Sequence, residues 1–294
     1  MTMTSAFIRT LRSYLYRTSL ALPLAGLLPI TAQAADANQL ITLINDYRQS
    51  AETCNGHRVS PVSPLAPDDR LAQVKAVSGE QFQAALQKSG YLAATAQAIG
   101  LSGSSNPTQV MDTIRQHYCG TLLNPAFAEI GVSYTGTTWL IVLARPLLSK
   151  DLGDWQQAGQ VILREVNAAR AAPRSCGNQA FTAAPPLTWN ATLAQTALGH
   201  SRDMANQNYF SHAGRDGSQV SDRATREGYQ WSRIGENIAA GQGTAHKAVA
   251  GWLSSPGHCA NIMNPHFTEM GAAYHVNEKS DAAIYWTQVF GTPQ

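Results

Sequence analysis

Two stretches of this chain recur in the same order, with their cysteines in matching places. "CNGHRVSPVSPLAPDDRLAQ" from Cys54 aligns with "CGNQAFTAAPPLTWNATLAQ" from Cys176 at an offset of 122, pairing Pro64-Leu65 with Pro186-Leu187 and Leu71-Ala72-Gln73 with Leu193-Ala194-Gln195. "CGTLLNPAFAEIGV" from Cys119 aligns with "CANIMNPHFTEMGA" from Cys259 at an offset of 140. Matched segments in one order describe two copies of one domain, the second longer in its middle by 18 residues, the difference of the offsets. A chain of 294 residues has room for both. The copies are assigned to residues 35–150 and 151–294, with the boundary in the polar stretch "SKDLGD", Ser149 to Asp154. The four cysteines then pair within copies, Cys54–Cys119 and Cys176–Cys259, as framework disulfides. Each closes a loop of about 65–85 residues, worth roughly 4–5 kcal/mol in the chain-entropy model. No C-x-x-C pair is present, which argues against a zinc knuckle or a thioredoxin-type redox site.

The first 34 residues are expected to be removed before the domains act. Arg9, Arg12 and Arg17 precede an apolar run, Leu20 to Ile30, and Ala32-Gln33-Ala34 fits a small-x-small cleavage site. That is a secretory signal peptide cut near Ala34, and it places the mature chain in the periplasm or outside the cell. No later segment reads as a membrane span. Loss of the three arginines takes the formal charge from +2 to −1. A near-neutral chain without Lys/Arg clusters argues against nucleic acid or an anionic membrane as the main partner.

Periodicity gives the fold class. Trp155, Ala158, Ile162, Val166 and Ala169 recur at helical spacing. Asn190 can cap a helix to about Asn206 with Leu193, Ala197 and Met204 inward, and Thr244 can cap another through Leu253. "EMGAAYHV" and "AAIYWTQVFG" read as a hairpin, repeated by "EIGVSYTG" and "TTWLIVLARP" in the first copy. Helices first and strands last predict α+β units with an antiparallel sheet covered by helices.

Three ionisable residues stand out in the second copy: His212 in "NYFSHAGRDGS", Glu236 in "IGENIAAGQG" and His258 in "SSPGHCAN". Each is expected on a loop or element end, with the glycines bending the chain around Glu236. Two imidazoles and a carboxylate suit a divalent ion, and they equally suit general acid–base work. A hydrogen-bonded network that only pins loops fits the same residues, because a buried charge must be paired. No H-E-x-x-H or G-x-S-x-G motif favours an enzyme, and Ser211 beside His212 is not oriented as a nucleophile–base pair. Asn237 reads first as a loop-fixing amide, with a place in the cleft as the alternative. Arg223 and Arg226 are expected to make structural hydrogen bonds, with a place facing the cleft as the alternative for Arg223, and His200 to be structural, with a fourth ligand as its alternative. Counting along the repeat sets Gln97 about where Glu236 falls and Tyr118 where His258 falls, with no counterpart to the His212 segment. The fold therefore does not need these three residues, which points toward a site.

"YFSHAGRDGSQVSDRATREGYQWSRIGENIAAG", "GWLSSPGHCANIMNPHFTEMGAAY" and "YWTQVFG" together resemble a bacterial CAP (SCP-like) domain, the superfamily of cysteine-rich secretory, antigen 5 and pathogenesis-related proteins. The resemblance spans nearly all of residues 155–294 and implies an α-β-α sandwich with a central cleft. It makes the first copy a degenerate tandem CAP-like domain. Carried over, His212, Glu236 and His258 match cleft residues of that family. "LSS" after Trp252 and Tyr285-Trp286 stand where many eukaryotic members place a second glutamate and a histidine. A two-His, one-Glu set remains.

The resemblance implies an exported domain that binds a divalent cation (Zn, Mg or Ca), or a small polar, lipid or sterol ligand of the cell envelope, through His212, Glu236, Asn237 and His258. The alternative is a peptidase-like hydrolase in which a metal or Glu236 activates water. A third reading gives the first copy a protein partner.

Overall fold

The computed structural model describes residues 29–51, 53–135, 137–148 and 152–294. The expected signal peptide lies outside the described residues except for positions 29–34, and so does the first half of the expected boundary, residues 149–151. No helix among the described residues is long and apolar enough to cross a membrane.

The first half runs α1 (Pro29–Ser50), a β1–β2 hairpin (Thr53–Cys54, His57–Arg58), β3 (Ala66–Pro67), α2 (Asp69–Ala72), α3 (Gly79–Lys88), β4 (Ala93–Ser102), α4 (Pro107–Leu122), β5 (Glu129–Thr135) and β6 (Thr138–Pro146). The second half runs α5 (Trp155–Arg170), a β7–β8 hairpin (Arg174–Cys176, Gln179–Phe181), β9 (Thr188–Trp189) and α6 (Ala191–Asn206). It continues through α7 (Val220–Arg226), β10 (Trp231–Ala240), α8 (Ala245–Leu253), α9 (Pro256–Met263), β11 (Glu269–Val276) and β12 (Ile284–Pro293). The helices begin where their caps predict. Asn190 accepts from the N–H groups of Thr192 and Leu193, and Thr244 from that of Lys247.

Each half builds one four-stranded sheet, in the orders β3-β5-β6-β4 and β9-β11-β12-β10. Three strands of each are antiparallel, as expected. The fourth, β3 or β9, is a short parallel edge strand, so the sheets are mixed. Two residues are too few to show an alternating pattern, which is why the sequence does not announce them. The sheets are covered on both faces. In β6, Trp139, Ile141 and Leu143 pack with α1 and α4, while Leu140, Val142 and Ala144 pack with α2 and α3. That double burial explains why β6 reads as a continuous apolar run rather than an alternation.

The halves share more than sequence. Arg48 is fully buried and donates from Nε to the carbonyl of Ser63 (2.7 Å) and from its terminal nitrogens to those of Leu122, Asn124 and Phe127. Arg170, also fully buried, donates likewise to Pro185 (2.7 Å), Ile262, Asn264 and Phe267. Every one of these partners is displaced by the offset its segment has in the sequence. The Asn45–Leu65 exchange is repeated by Asn167–Leu187. The disulfides are Cys54–Cys119 and Cys176–Cys259, with Cα separations of 5.7 and 5.5 Å.

The halves are joined by buried polar contacts. Ser63 Oγ accepts from the N–H of Ala240 (2.9 Å) and from Gln242 Nε2 (3.2 Å). Gln242 also donates to the carbonyl of Pro64 at 2.7 Å. Lys247 of α8 reaches Asp68 at 2.9 Å. Burial alone would raise the Asp68 carboxyl, but Arg70 and Lys247 together hold it well below the usual carboxylate range.

Candidate functional site

Glu236 lies within strand β10, not on a bent loop. It pairs with Val289 of β12, in register from Arg233–Thr292 to Ala240–Tyr285. Gly235 does not bend the chain. A Cβ there would sit 2.7 Å from Phe267 Cζ, so the glycine admits the phenyl ring. The bend comes later, at Gly241, whose φ is +89°. A Gly- and Asn-rich stretch has poor strand propensity, and pairing with β12 overrides it. His258 sits in the first turn of α9, after Pro256 at the helix start. His212 does lie on the loop between α6 and α7.

The carboxylate of Glu236 is buried and bound on both oxygens. His212 Nδ1 donates to Oε1 at 2.8 Å, and Arg223 of α7 donates to Oε2 at 2.7 Å. His200 of α6 approaches Oε1 to 3.9 Å and donates Nε2–H to the carbonyl of Ser211 at 2.9 Å. Burial alone would raise the Glu236 carboxyl, but its bonds to His212 and the nearby charges of His200 and Arg223 hold it below its ordinary value. Burial pushes the His200 imidazole down, against the pull of Glu236. Burial, with His212 nearby, pushes His258 down to about 3. His258 is therefore a neutral ring at physiological pH.

Two imidazoles face the cleft. The side chain of His212 is 49% exposed, and its ring centre is 6.4 Å from that of His258. Nδ1 of each ring is engaged, by Glu236 in one case and by Ser255 Oγ at 2.9 Å in the other. Nε2 of each remains for a ligand.

Asn237 points away from this space. It is fully buried, with its amide nitrogen on the carbonyl of His258 and on Gln288 Oε1, and its oxygen accepting from Asn261. It ties β10 to α9 and does not line the cleft. The fourth and fifth members of the network are Arg223 and His200, for which the sequence favours structural roles, with a place in the cleft as the alternative for Arg223 and a ligand role for His200. Their signals were present: His200 shares the inward stripe of α6 with Leu193, Ala197 and Met204, and a polar group on such a stripe needs a buried partner. Counting along the first half is also off by one. β4 pairs Ala98 with Val142 as β10 pairs Glu236 with Val289, so Ala98 holds the carboxylate's place and Gln97 that of Gly235. Tyr118 does hold the place of His258, one residue before the disulfide cysteine in each half.

As a metal centre the donors are few. Among the described residues no group of three His, Cys, Asp or Glu side chains is arranged to hold an ion. Glu236 is bound to Arg223 and orients His212, which is the work of an outer-shell carboxylate. Hard ions such as Mg²⁺ and Ca²⁺ need free oxygen donors that the cleft does not offer. Two imidazoles on one tetrahedral zinc ion would have ring centres about 5 Å apart, given Zn–N bonds of about 2.0–2.1 Å. The observed 6.4 Å is wider. It matches two rings hydrogen-bonded to one shared polar atom at about 2.8–2.9 Å.

The sequence profile of the CAP family, described as the cysteine-rich secretory protein family, matches residues 163–290, which include all three cleft residues. The chain is 37% identical over 105 residues to the uncharacterized protein YkwD of Bacillus subtilis (strain 168), covering 36% of this chain and 39% of that protein. It is 36% identical over 104 residues to the uncharacterized membrane protein YlbC of the same organism, covering 35% of this chain and 28% of that protein. The chain thus spans well under half the length of these relatives. An extracellular protein containing a SCP domain from Bacillus anthracis has a solved structure that is 22% identical with a TM-score of 0.41, covering 75% of each chain.

Proposed function

The chain carries a CAP-family domain at residues 163–290, and from that premise we propose an exported binding protein that holds a polar group of its ligand between His212 and His258. The observation that carries this reading is the 6.4 Å separation of two rings whose Nδ1 atoms are already fixed. Glu236 can only accept, so the proton of its bond with His212 sits on Nδ1, and when the ring carries that proton alone Nε2 presents a lone pair. A hydroxyl or amide N–H can donate to it. A lipid head group, a sterol and a peptide all carry such a group. The two disulfides and the basic-apolar N-terminus support export. The first half, which keeps the buried arginine and the sheet but has Ala98 and Tyr118 in place of Glu236 and His258, is a diverged copy without this chemistry.

The test is an NMR titration of the full mature chain, read at the imidazole C–H signals of His212 and His258. Small alcohols and amides are titrated first, then Zn²⁺, Mg²⁺ and Ca²⁺ into metal-stripped protein. At least one alcohol or amide should move both signals together. The reading fails if none does and Zn²⁺ alone moves both, with a stabilisation of about 2.7 kcal/mol at 100 times its Kd.

A second reading rests on the Glu236–His212 pair itself, a carboxylate-oriented and half-exposed imidazole. Water held between the rings could lose a proton to His212 Nε2 as its oxygen attacks a carbonyl. Turnover of a peptide or ester that disappears in His212→Ala would establish it.

A further inference from the structure

The cleft is not walled by the second half alone. A cavity of about 380 Å³ at His212 is lined by Phe210, Ser211 and Ile238 on one side and by Gln49, Ser60 and Pro61 of the first half on the other. It adjoins a second cavity of about 410 Å³, which shares Ser60, Pro61, Phe210 and Ser211 and continues to Tyr209 and Tyr285. Together they form one groove along the seam between the halves, with His212 lining one end.

The first-half wall is rigid. Val62 donates its N–H to the carbonyl of Arg48 at 3.0 Å, and Gln49 Nε2 donates to the carbonyl of Val62 at 2.6 Å. Arg48 Nε fixes the Ser63 carbonyl at 2.7 Å, and Ser63 Oγ is held by Ala240 and Gln242 of the second half. Ser60 and Ser63 each precede a proline, which favours extended backbone.

Both walls present open main-chain hydrogen-bonding groups. Among the described residues the main-chain N–H groups of Ser60, Phe210 and His212 donate to no protein acceptor, and none of the three carbonyls is engaged. Main chain with free donors and acceptors recognises another main chain, and the adjoining compartment sets Tyr209, Phe210 and Tyr285 beside Arg215 and Asp281. A sterol or an acyl chain would leave those groups unpaired under an apolar cover.

We propose that the seam groove binds a short extended peptide, with Ser60–Pro61 of the first half as a ligand-contacting wall. An apolar side chain fills the compartment at Tyr209, Phe210 and Tyr285, and a peptide N–H meets His212. This rests on the reading of the His212–His258 cleft as a binding site. It gives the first half a role that requires none of its own cleft chemistry: it determines which ligands fit.

The experiment measures fluorescence polarisation of labelled, end-capped pentapeptides, Ala-Ala-X-Ala-Ala with X as Phe, Leu, Asp or Lys, on the full mature chain. The Phe or Leu peptide should bind, and the Asp and Lys peptides at least tenfold more weakly. Pro61→Trp fills the groove from an exposed position in the first half and should weaken binding at least tenfold. Phe210→Ala should do so by removing a compartment wall. In the unsubstituted chain the His212 and His258 signals are followed in parallel with a small alcohol or amide. If such a fragment moves those signals and no peptide binds, the groove inference fails and the cleft reading stands. If peptides bind with equal affinity in Pro61→Trp and Phe210→Ala, they bind elsewhere and the inference fails as well. If neither fragment nor peptide binds, both readings fall together.

Discussion

His258 should make the protein acid-labile in a way that one substitution removes. Its ring is buried, and burial with His212 nearby pushes it down to about 3. In the unfolded chain a histidine titrates near 6.5. The folded value is the lower one, so the stabilisation is fully present above the unfolded value and is lost as pH falls. Below pH 6.5 the unfolded state takes up a proton that the folded state refuses, until the folded ring itself titrates. The slope approaches about 1.4 kcal/mol per pH unit, and the loss between pH 6.5 and 4.5 is about 2.3 kcal/mol from this ring alone. The assay is urea unfolding of the metal-stripped mature chain at several pH values, for the wild type and His258→Asn. Glu236, Asp68 and His200 titrate in both proteins and cancel in the difference. The stability gap between wild type and variant should therefore shrink by about 2.3 kcal/mol from pH 6.5 to 4.5. A gap constant to within about 0.5 kcal/mol would refute the reasoning, because the ring would then be free to protonate in the folded state.

Glu236→Gln keeps the shape of the side chain and removes its charge, leaving Arg223, with a side chain only 11% exposed, uncompensated. Losing one partner of a buried ion pair costs about 3–5 kcal/mol, to be read from urea midpoints; a change under about 1 kcal/mol would show that Arg223 is solvated after all. Deleting residues 35–150 exposes the N–H of Ala240, the buried amide of Gln242 and the ammonium of Lys247, all of which are held by the first half. The truncated chain should melt well below the intact one in a thermal scan. An unchanged melting temperature would mean the seam adds nothing to stability.

Some of the site is written in the sequence and some is not. His212 and His258 stand out because loop and helix-start positions carry recognisable local signals: Gly-Arg-Asp-Gly after one, Ser-Pro-Gly before the other. The strand around Glu236 is hidden, since Gly235, Asn237 and the following alanines have no strand preference of their own. Its partner β12 lies about fifty residues later in the chain, and only the hydrogen-bond ladder between them fixes which way each side chain faces. That ladder turns Glu236 toward Arg223 and Asn237 toward α9, a distinction no spacing rule could make. The one-residue error at Gln97 is of another kind: Gly90-Tyr91 match Gly228-Tyr229 at an offset of 138, and the bulge near the start of β4 is repeated in β10, so the same offset sets Ala98 at Glu236.

By itself the sequence determined the repeat, the pairing of the cysteines, the α+β class and two histidines, His212 and His258, whose rings the structure brings to 6.4 Å of each other. These follow from local periodicity, caps and constant offsets, which act over a few residues or survive duplication. The tertiary structure alone decided that Glu236 orients a histidine and leaves no oxygen for a cation, that His200 and Arg223 complete its shell, and that Ser60 and Pro61 face His212 across the seam. Each of those depends on contacts between segments far apart in the chain, where the free energy of burying a charge or closing a groove belongs to the pair and is encoded in neither partner.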